Sequence, residues 1–294
     1  MTEGEAEAVR AAEDFCASCG IAALDNIILE ECDGCDLVKY CGDKCKEDHR
    51  EQHEEECKKR VKELHDKELF TQPDSCCFGE CPICFLPMPL DNQKSTFYSC
   101  CSKTICDGCD YASYISNRHP NNCPFCREPA ADNEEIDRRI MKRIEAGDPT
   151  AMSEMGTDCY HEGDYDGAVK YWKMAAKLGD VEAHYHLGVM YERGRSVEKD
   201  EEKELYHYEI AAIGGHPGSR FNLGCYEERN GKADRAVKHF IIAARLGHIK
   251  SMKQLWRHYS QGNITKDDLE ATLRTHQAAL DAMKSPQREA ALGG

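Results

Sequence analysis

Cys81-Pro82-Ile83-Cys84, Cys100-Cys101, Cys106-Asp107-Gly108-Cys109 and Cys123-Pro124-Phe125-Cys126 form the stretch whose reading decides the fold. Three Cys-x-x-Cys pairs, with a fourth pair of thiols between the first and second, supply ligands for two tetrahedral zinc sites. A two-residue gap lets the backbone curl so that both sulfurs reach one ion about 2.3 Å away, and two such pairs close a structural site. Gly108, inside one of these turns, is expected to take backbone angles outside the ordinary regions.

Outward from this stretch, cysteine remains dense. Of the 19 cysteines, all but Cys159 and Cys225 lie between residues 16 and 126. No apolar run is long enough for a signal peptide or a transmembrane helix, so the chain is expected to be intracellular, cytoplasmic and/or nuclear, without a membrane partner. In a reducing compartment, paired thiols point to metal rather than disulfides. The formal net charge of -16 argues against a nucleic-acid partner. Zinc ligation deepens it, since a Zn(Cys)4 site is formally 2-.

Residues 1–14 are acidic and alanine-rich and are expected to be a disordered arm. Next come Cys16, Cys19, Cys32, Cys35, Cys41, Cys45, His53 and Cys57. Three-residue gaps place Cys41 with Cys45, and His53 with Cys57, on single helical faces, where each pair can chelate. His49 competes for the histidine role, but His53 has the matching gap to Cys57. This order resembles the MYND zinc finger over residues 16–57. The resemblance implies interleaved sites, one zinc on Cys16, Cys19, Cys41 and Cys45 and the other on Cys32, Cys35, His53 and Cys57. It also implies docking of proline-containing peptides. Residues 58–75 read as a helical linker ended by Pro73, and Cys76 and Cys77 have no clear place in either ligand set.

The segment 76–127 resembles a RING finger of the all-cysteine kind. The resemblance implies a cross-brace, with Cys81, Cys84, Cys106 and Cys109 on one zinc and Cys100, Cys101, Cys123 and Cys126 on the other. It further implies that Ile83, Pro124 and Arg127 contact a ubiquitin-conjugating enzyme. Most RING fingers have a histidine where this chain has Lys103, and an ammonium is no ligand. Cys100 and Cys101 are adjacent, so joint chelation needs a kinked backbone; otherwise one of them binds and a neighbour such as His119 completes the set.

Residues 128–146 read as a connecting helix capped at Asp132 or Asn133, with Ile136, Ile140 and Ile144 as its buried stripe. A repeat follows. Ala175-Ala176-Lys177-Leu178-Gly179 recurs at Ala211 and Ala243, and weakly at Ala278, in phase with Met155-Gly156, Leu187-Gly188, Leu223-Gly224 and Leu255-Trp256. A mid-helix glycine costs about 1 kcal/mol against alanine, so its return at one phase implies close helix approach, glycine against a partner's alanine. This resembles the Sel1-like branch of the tetratricopeptide family over residues 147–284, with Tyr160, His184, His186, Arg220 and Asn222 as exposed candidates for binding. Residues 285–294 are expected to be a disordered tail.

The expected fold is thus two small cross-braced zinc modules, holding four zinc ions, followed by an all-α solenoid of helical hairpins. The expected function is a RING-type ubiquitin ligase whose MYND finger and repeats recruit substrate, with no covalent catalytic residue. The alternative is a non-catalytic, zinc-dependent scaffold. A methyltransferase is excluded, because the repeats leave no room for its fold.

Overall fold

The structure is a computed structural model and describes residues 15–21, 23, 28–116 and 122–292. The arm over residues 1–14 and the alternative ligand His119 lie outside the described residues. The chain divides into two compact units, Met1–Thr71 and Gln72–Gly294.

In the first unit, strands β1 (Glu30–Glu31) and β2 (Lys39–Tyr40) pair antiparallel, with Glu30 opposite Tyr40. Helix α1 (Asp43–Asp48) leads into α2 (Arg50–Leu69). The only buried residues of α2 are His53 and Leu69; its remaining surface is solvated and carries ion pairs such as Lys58–Glu54. The helical linker therefore begins within the finger itself, at Arg50 rather than at residue 58.

The second unit opens with a hairpin of β3 (Ser95–Tyr98) and β4 (Lys103–Cys106), in register Ser95 opposite Cys106, followed by α3 (Asp107–Ile115). Its small core consists of Met88, Ile105 and buried cysteines, with Phe78 and Tyr98 against them. Helix α4 (Asn133–Glu145) is capped by Asp132, whose side chain accepts the Glu135 amide at 2.9 Å, and buries Ile140 and Ile144.

Eight further helices stack as four hairpins. They are α5 (Pro149–Glu162) with α6 (Tyr165–Lys177), α7 (Val181–Arg193) with α8 (Glu201–Ile213), α9 (Pro217–Arg229) with α10 (Ala233–Arg245), and α11 (Ile249–Ser260) with α12 (Lys266–Ala282). Each hairpin starts at the same punctuation. Gly147, Gly179, Gly215 and Gly247 take left-handed φ, and Asp148, Asp180, His216 and His248 follow as N-caps. A left-handed turn ends one helix without a Cβ clash, and the cap starts the next.

The recurring mid-helix glycines face aromatic rings, not alanine. A Cβ at Gly156 would stand 2.6 Å from Trp172, one at Gly188 2.5 Å from Tyr208, and one at Gly224 2.5 Å from Phe240. Each ring lies one turn before the first alanine of the repeat, and Ala175, Ala211 and Ala243 are buried beside it. Trp256, at the fourth glycine's place, is half exposed at 52%. The expected disordered tail is corrected in part: residues Pro286–Ala291 form a helix, α13, which packs on α3. Among the described residues no helix is long and apolar enough to cross a membrane.

Candidate metal centres and their surroundings

Among the described residues, four groups of metal-ligating side chains converge, with the ligand atoms of each within 4.8 Å of one another. In the first unit they are Cys16, Cys19, Cys41 and Cys45, and Cys32, Cys35, His53 and Cys57. In the second unit they are Cys81, Cys84, Cys106 and Cys109, and Cys100, Cys101, Cys123 and Cys126. Both modules are interleaved, since in each the first and third ligand pairs share one group.

The spacing within the groups fits zinc. A tetrahedron whose centre lies about 2.3 Å from each sulfur has edges of about 3.8 Å. The Sγ separations are 3.6 Å for Cys19–Cys41 and Cys41–Cys45, and 3.8 Å for Cys32–Cys57, Cys84–Cys106 and Cys101–Cys123. Cys100–Cys126 is closer, at 3.3 Å. Disulfides would bring sulfurs to about 2.05 Å, and all the cysteines are free. Three groups of four thiols and one of three thiols with the His53 imidazole, none including a carboxylate, form closed four-ligand donor sets of the kind that suit a structural zinc ion.

Their protonation follows from crowding. Burial opposes ionisation of Cys16, yet the amides of Cys19, Cys41 and Ser18 bring its thiol down to about 6. Its neighbour Cys41 is pushed up to about 12 by hydrogen bonds with Cys19 and Cys45. Burial raises Cys81 too, but amides of Cys106, Cys84 and Ile83 outweigh it and hold the thiol at about 7. Each group holds one thiol that is lowered, Cys16, Cys32, Cys81 or Cys126, and at least one that burial or its neighbours raise, such as Cys41, Cys57, Cys109 or Cys100; a cation among them favours the thiolate of the raised ones.

Of the two candidate histidines, His53 joins a group. Its Nε2 lies 3.1 Å from Cys35 Sγ. His49 instead stacks on His53, ring centroids 5.8 Å apart, and its Nδ1 shares a hydrogen bond with the Tyr40 hydroxyl at 3.1 Å. That pair braces the coordinating ring, which is a supporting role of the kind metal sites commonly use.

In the all-cysteine module, two knuckles repeat one geometry. The Phe85 amide bonds the Cys81 carbonyl and the Arg127 amide bonds the Cys123 carbonyl, both at 2.9 Å, and Phe85 and Arg127 take φ of 56° and 65°. Those left-handed residues close the turn that points both sulfurs inward. A third such residue, Ser102 at φ 54°, solves the adjacent pair: amides of Cys101 and Ser102 both reach the Tyr98 carbonyl, and the turn aims both sulfurs one way. Lys103 lies exposed on β4, outside the ligand groups. Gly108 sits in ordinary helical backbone at the start of α3, so the expectation of unusual angles is corrected; its need is space, taken up below.

Ile83 and Pro124, 41 residues apart in sequence (124 minus 83), line one groove of about 390 Å³ above Ala112 of α3. Ser285 and Gln287 line it as well. Arg127 is exposed on the knuckle that carries Pro124.

In the repeats, two residues expected at the surface are buried. Arg220 has no exposed area, and His184 contacts His207, Nδ1 to Nδ1, at 3.0 Å and the Ala176 carbonyl at 3.2 Å. Both face the neighbouring helices, as inward positions of a solenoid do. Tyr160, His186 and Asn222 are half-buried, with His186 stacked on Trp172 at 4.5 Å. Among the described residues, Cys76 and Cys77 belong to no metal group. They sit where the Cys77 amide bonds the Gly215 carbonyl, in a loop that docks on the second hairpin.

Comparison with known proteins agrees with the two ends of this architecture. The MYND finger family model matches residues 16–57, and the Sel1 repeat model matches residues 149–180, 181–216 and 218–248. The chain therefore carries a MYND finger and three Sel1 repeats, and is a zinc-binding protein-interaction protein. Among solved structures it is similar to a Sel1 repeat protein from Oxalobacter formigenes, at 25% identity over 59% of this chain and 72% of that one, with a TM-score of 0.45. It is also similar to c5321, a protective antigen of uropathogenic Escherichia coli with an SLR fold, at 21% identity over 64% of this chain and 40% of that one, with a TM-score of 0.40.

Proposed function

We propose that the chain is an intracellular ubiquitin ligase of the RING type, working in the cytoplasm, the nucleus or both. In this reading the all-cysteine module receives a ubiquitin-conjugating enzyme, while the MYND finger and repeats hold substrate. The observation that carries it is the convergence of Ile83 and Pro124 on one groove, with Arg127 exposed just after Pro124 on the same knuckle. A module of this type needs no nucleophile of its own. It holds the thioester-linked ubiquitin in a reactive pose, an effect of proximity and orientation, and a planar five-donor guanidinium bridges two proteins better than an ammonium. The MYND finger offers a cavity of about 800 Å³ bordered by Tyr40 and Val61, a setting for a proline-containing segment.

The scaffold reading is favoured by one feature, that Ser285 and Gln287 of this same chain line part of the groove. Single-turnover discharge of ubiquitin from a panel of charged conjugating enzymes separates the two. The ligase reading expects acceleration by the zinc-loaded chain and its loss in Arg127→Ala at unchanged zinc content. No acceleration across the panel selects the scaffold.

A further inference from the structure

Helix α13 returns to the all-cysteine module far along the chain from it, Arg288 lying 179 residues after Cys109 (288 minus 109). The approach is as close as backbones allow. A Cβ on Gly108 would stand 2.7 Å from the Arg288 amide nitrogen and 2.8 Å from its Cα, so only glycine fits beneath the helix. Ser285 caps that helix, its hydroxyl accepting the Arg288 amide at 3.2 Å.

Arg288 itself is buried, with 9% of its surface exposed. Its Nη1 donates to the carbonyls of Pro87 and Met283, both at 2.7 Å, and its Nη2 reaches the Leu86 carbonyl at 3.4 Å and Cys84 Sγ at 3.6 Å. Those partners are three carbonyls and a thiol, with no carboxylate among them. A buried cation without a counter-charge is strongly unfavourable. Arg143 of α4 makes the contrast. It donates to the carbonyls of Ser99, at 2.7 Å, and Cys100 at the other cysteine group, but Asp148 accompanies it at 3.6 Å.

The missing anion is next to Arg288. Four thiolates and one zinc ion make a 2- centre, and Cys84, one of those four, already lies against the guanidinium. We propose that Arg288 is the outer-sphere counter-ion of the zinc site formed by Cys81, Cys84, Cys106 and Cys109, and that it latches the C-terminal helix of the repeat array over that site. Loss of the ion strands a buried cation and releases the helix; displacement of the helix opens the site to solvent. Arg288 is a positioning residue and binds no metal. The inference stands apart from the ligase reading, since neither enzyme nor ubiquitin enters it.

The test uses the full, zinc-loaded chain and two readouts, zinc transfer to a chromogenic chelator and residue-resolved alkylation by N-ethylmaleimide mapped by mass spectrometry. Outer-sphere partners are typically worth about 10- to 100-fold in metal affinity. Arg288→Ala is therefore expected to speed zinc loss and alkylation at this one group by about tenfold or more, with the other three at native rates. Arg288→Lys keeps the charge but not the fork and falls between. Gly108→Ala leaves Arg288 intact, strains no backbone of its own and pushes the helix away, so it reproduces the Arg288→Ala pattern and serves if that variant does not fold. Native rates at this group in either alanine variant overturn the proposal, as does equal acceleration at all four groups.

Discussion

Acid should unfold the repeat array through histidines that the fold keeps neutral. Burial brings His216 and His239 down to about 3 and His248 down to about 4. His216 is the clearest case. Its ring stacks on Tyr185 at 4.2 Å, and its Nδ1 accepts the Ser219 amide at 3.0 Å as the cap of α9. Protonation there places a charge in the core, at the positive end of a helix, and removes the acceptor. The unfolded chain binds the same protons with an ordinary pKa of about 6.5. Stability is therefore intact above that value and drains as the pH falls towards the folded values. Between pH 7.5 and 5.5 each histidine costs about 1.4 kcal/mol. The three together cost about 4 kcal/mol, a large part of the roughly 5–15 kcal/mol that holds a typical domain. The assay is urea unfolding of the zinc-loaded full chain, followed by helix dichroism at both pH values, for the native protein and His216→Asn. Asparagine keeps a neutral cap and does not titrate. The native chain should lose about 1.4 kcal/mol more than the variant across this interval. Acid release of zinc is common to both chains and cancels. Equal losses would refute the reasoning, because His216 would then titrate alike in the folded and unfolded states.

Gly224→Ala gains about 1 kcal/mol of helix propensity but sets a methyl 2.5 Å from the Phe240 ring, and overpacking of that kind costs about 1–3 kcal/mol. A lower melting temperature is expected, partly restored by Phe240→Leu in the same chain; a higher one would mean that the glycines serve no packing need. Exhaustive chelation at pH 7.5 should release four zinc ions per chain and disorder both cysteine modules. Most helix dichroism should persist, because the apolar clusters of the repeats, around Trp172 and Leu187 and around Phe240 and Leu255, contain no metal ligand; its collapse would make the repeats dependent on metal.

What was legible in the sequence follows from which constraints are local. Ligand spacing is local, so pairs such as Cys41 with Cys45 and His53 with Cys57 could be read before any fold was known, and the structure brings them together. The glycine phase was equally visible, but its partner was not. Alanine recurs at a fixed distance and drew the inference, whereas the ring that needs the space changes from Trp172 to Tyr208 to Phe240 and leaves no repeated letter. The same holds for the punctuation before each hairpin, where Asp148 and Asp180 give way to His216 and His248. His184 and Arg220 are polar letters on amphipathic helices, and polarity alone assigned them to the surface; only packing of the neighbouring hairpins reveals them as buried. The tail is the instructive miss. Pro286-Gln287-Arg288-Glu289-Ala290 has no apolar stripe, since α13 is held by a cation over a metal group rather than by a greasy face.

That distant closure has a consequence in time. A chain leaving the ribosome at about 5–20 residues per second needs roughly 10–40 s to travel from Cys109 to Arg288. For that interval the group of Cys81, Cys84, Cys106 and Cys109 has its ligands but not its lid, and those nascent thiols stand open to whichever soft metal or oxidant the compartment supplies. Order of synthesis thus opens a window in which this group can take its ion before the distant helix arrives to cover it.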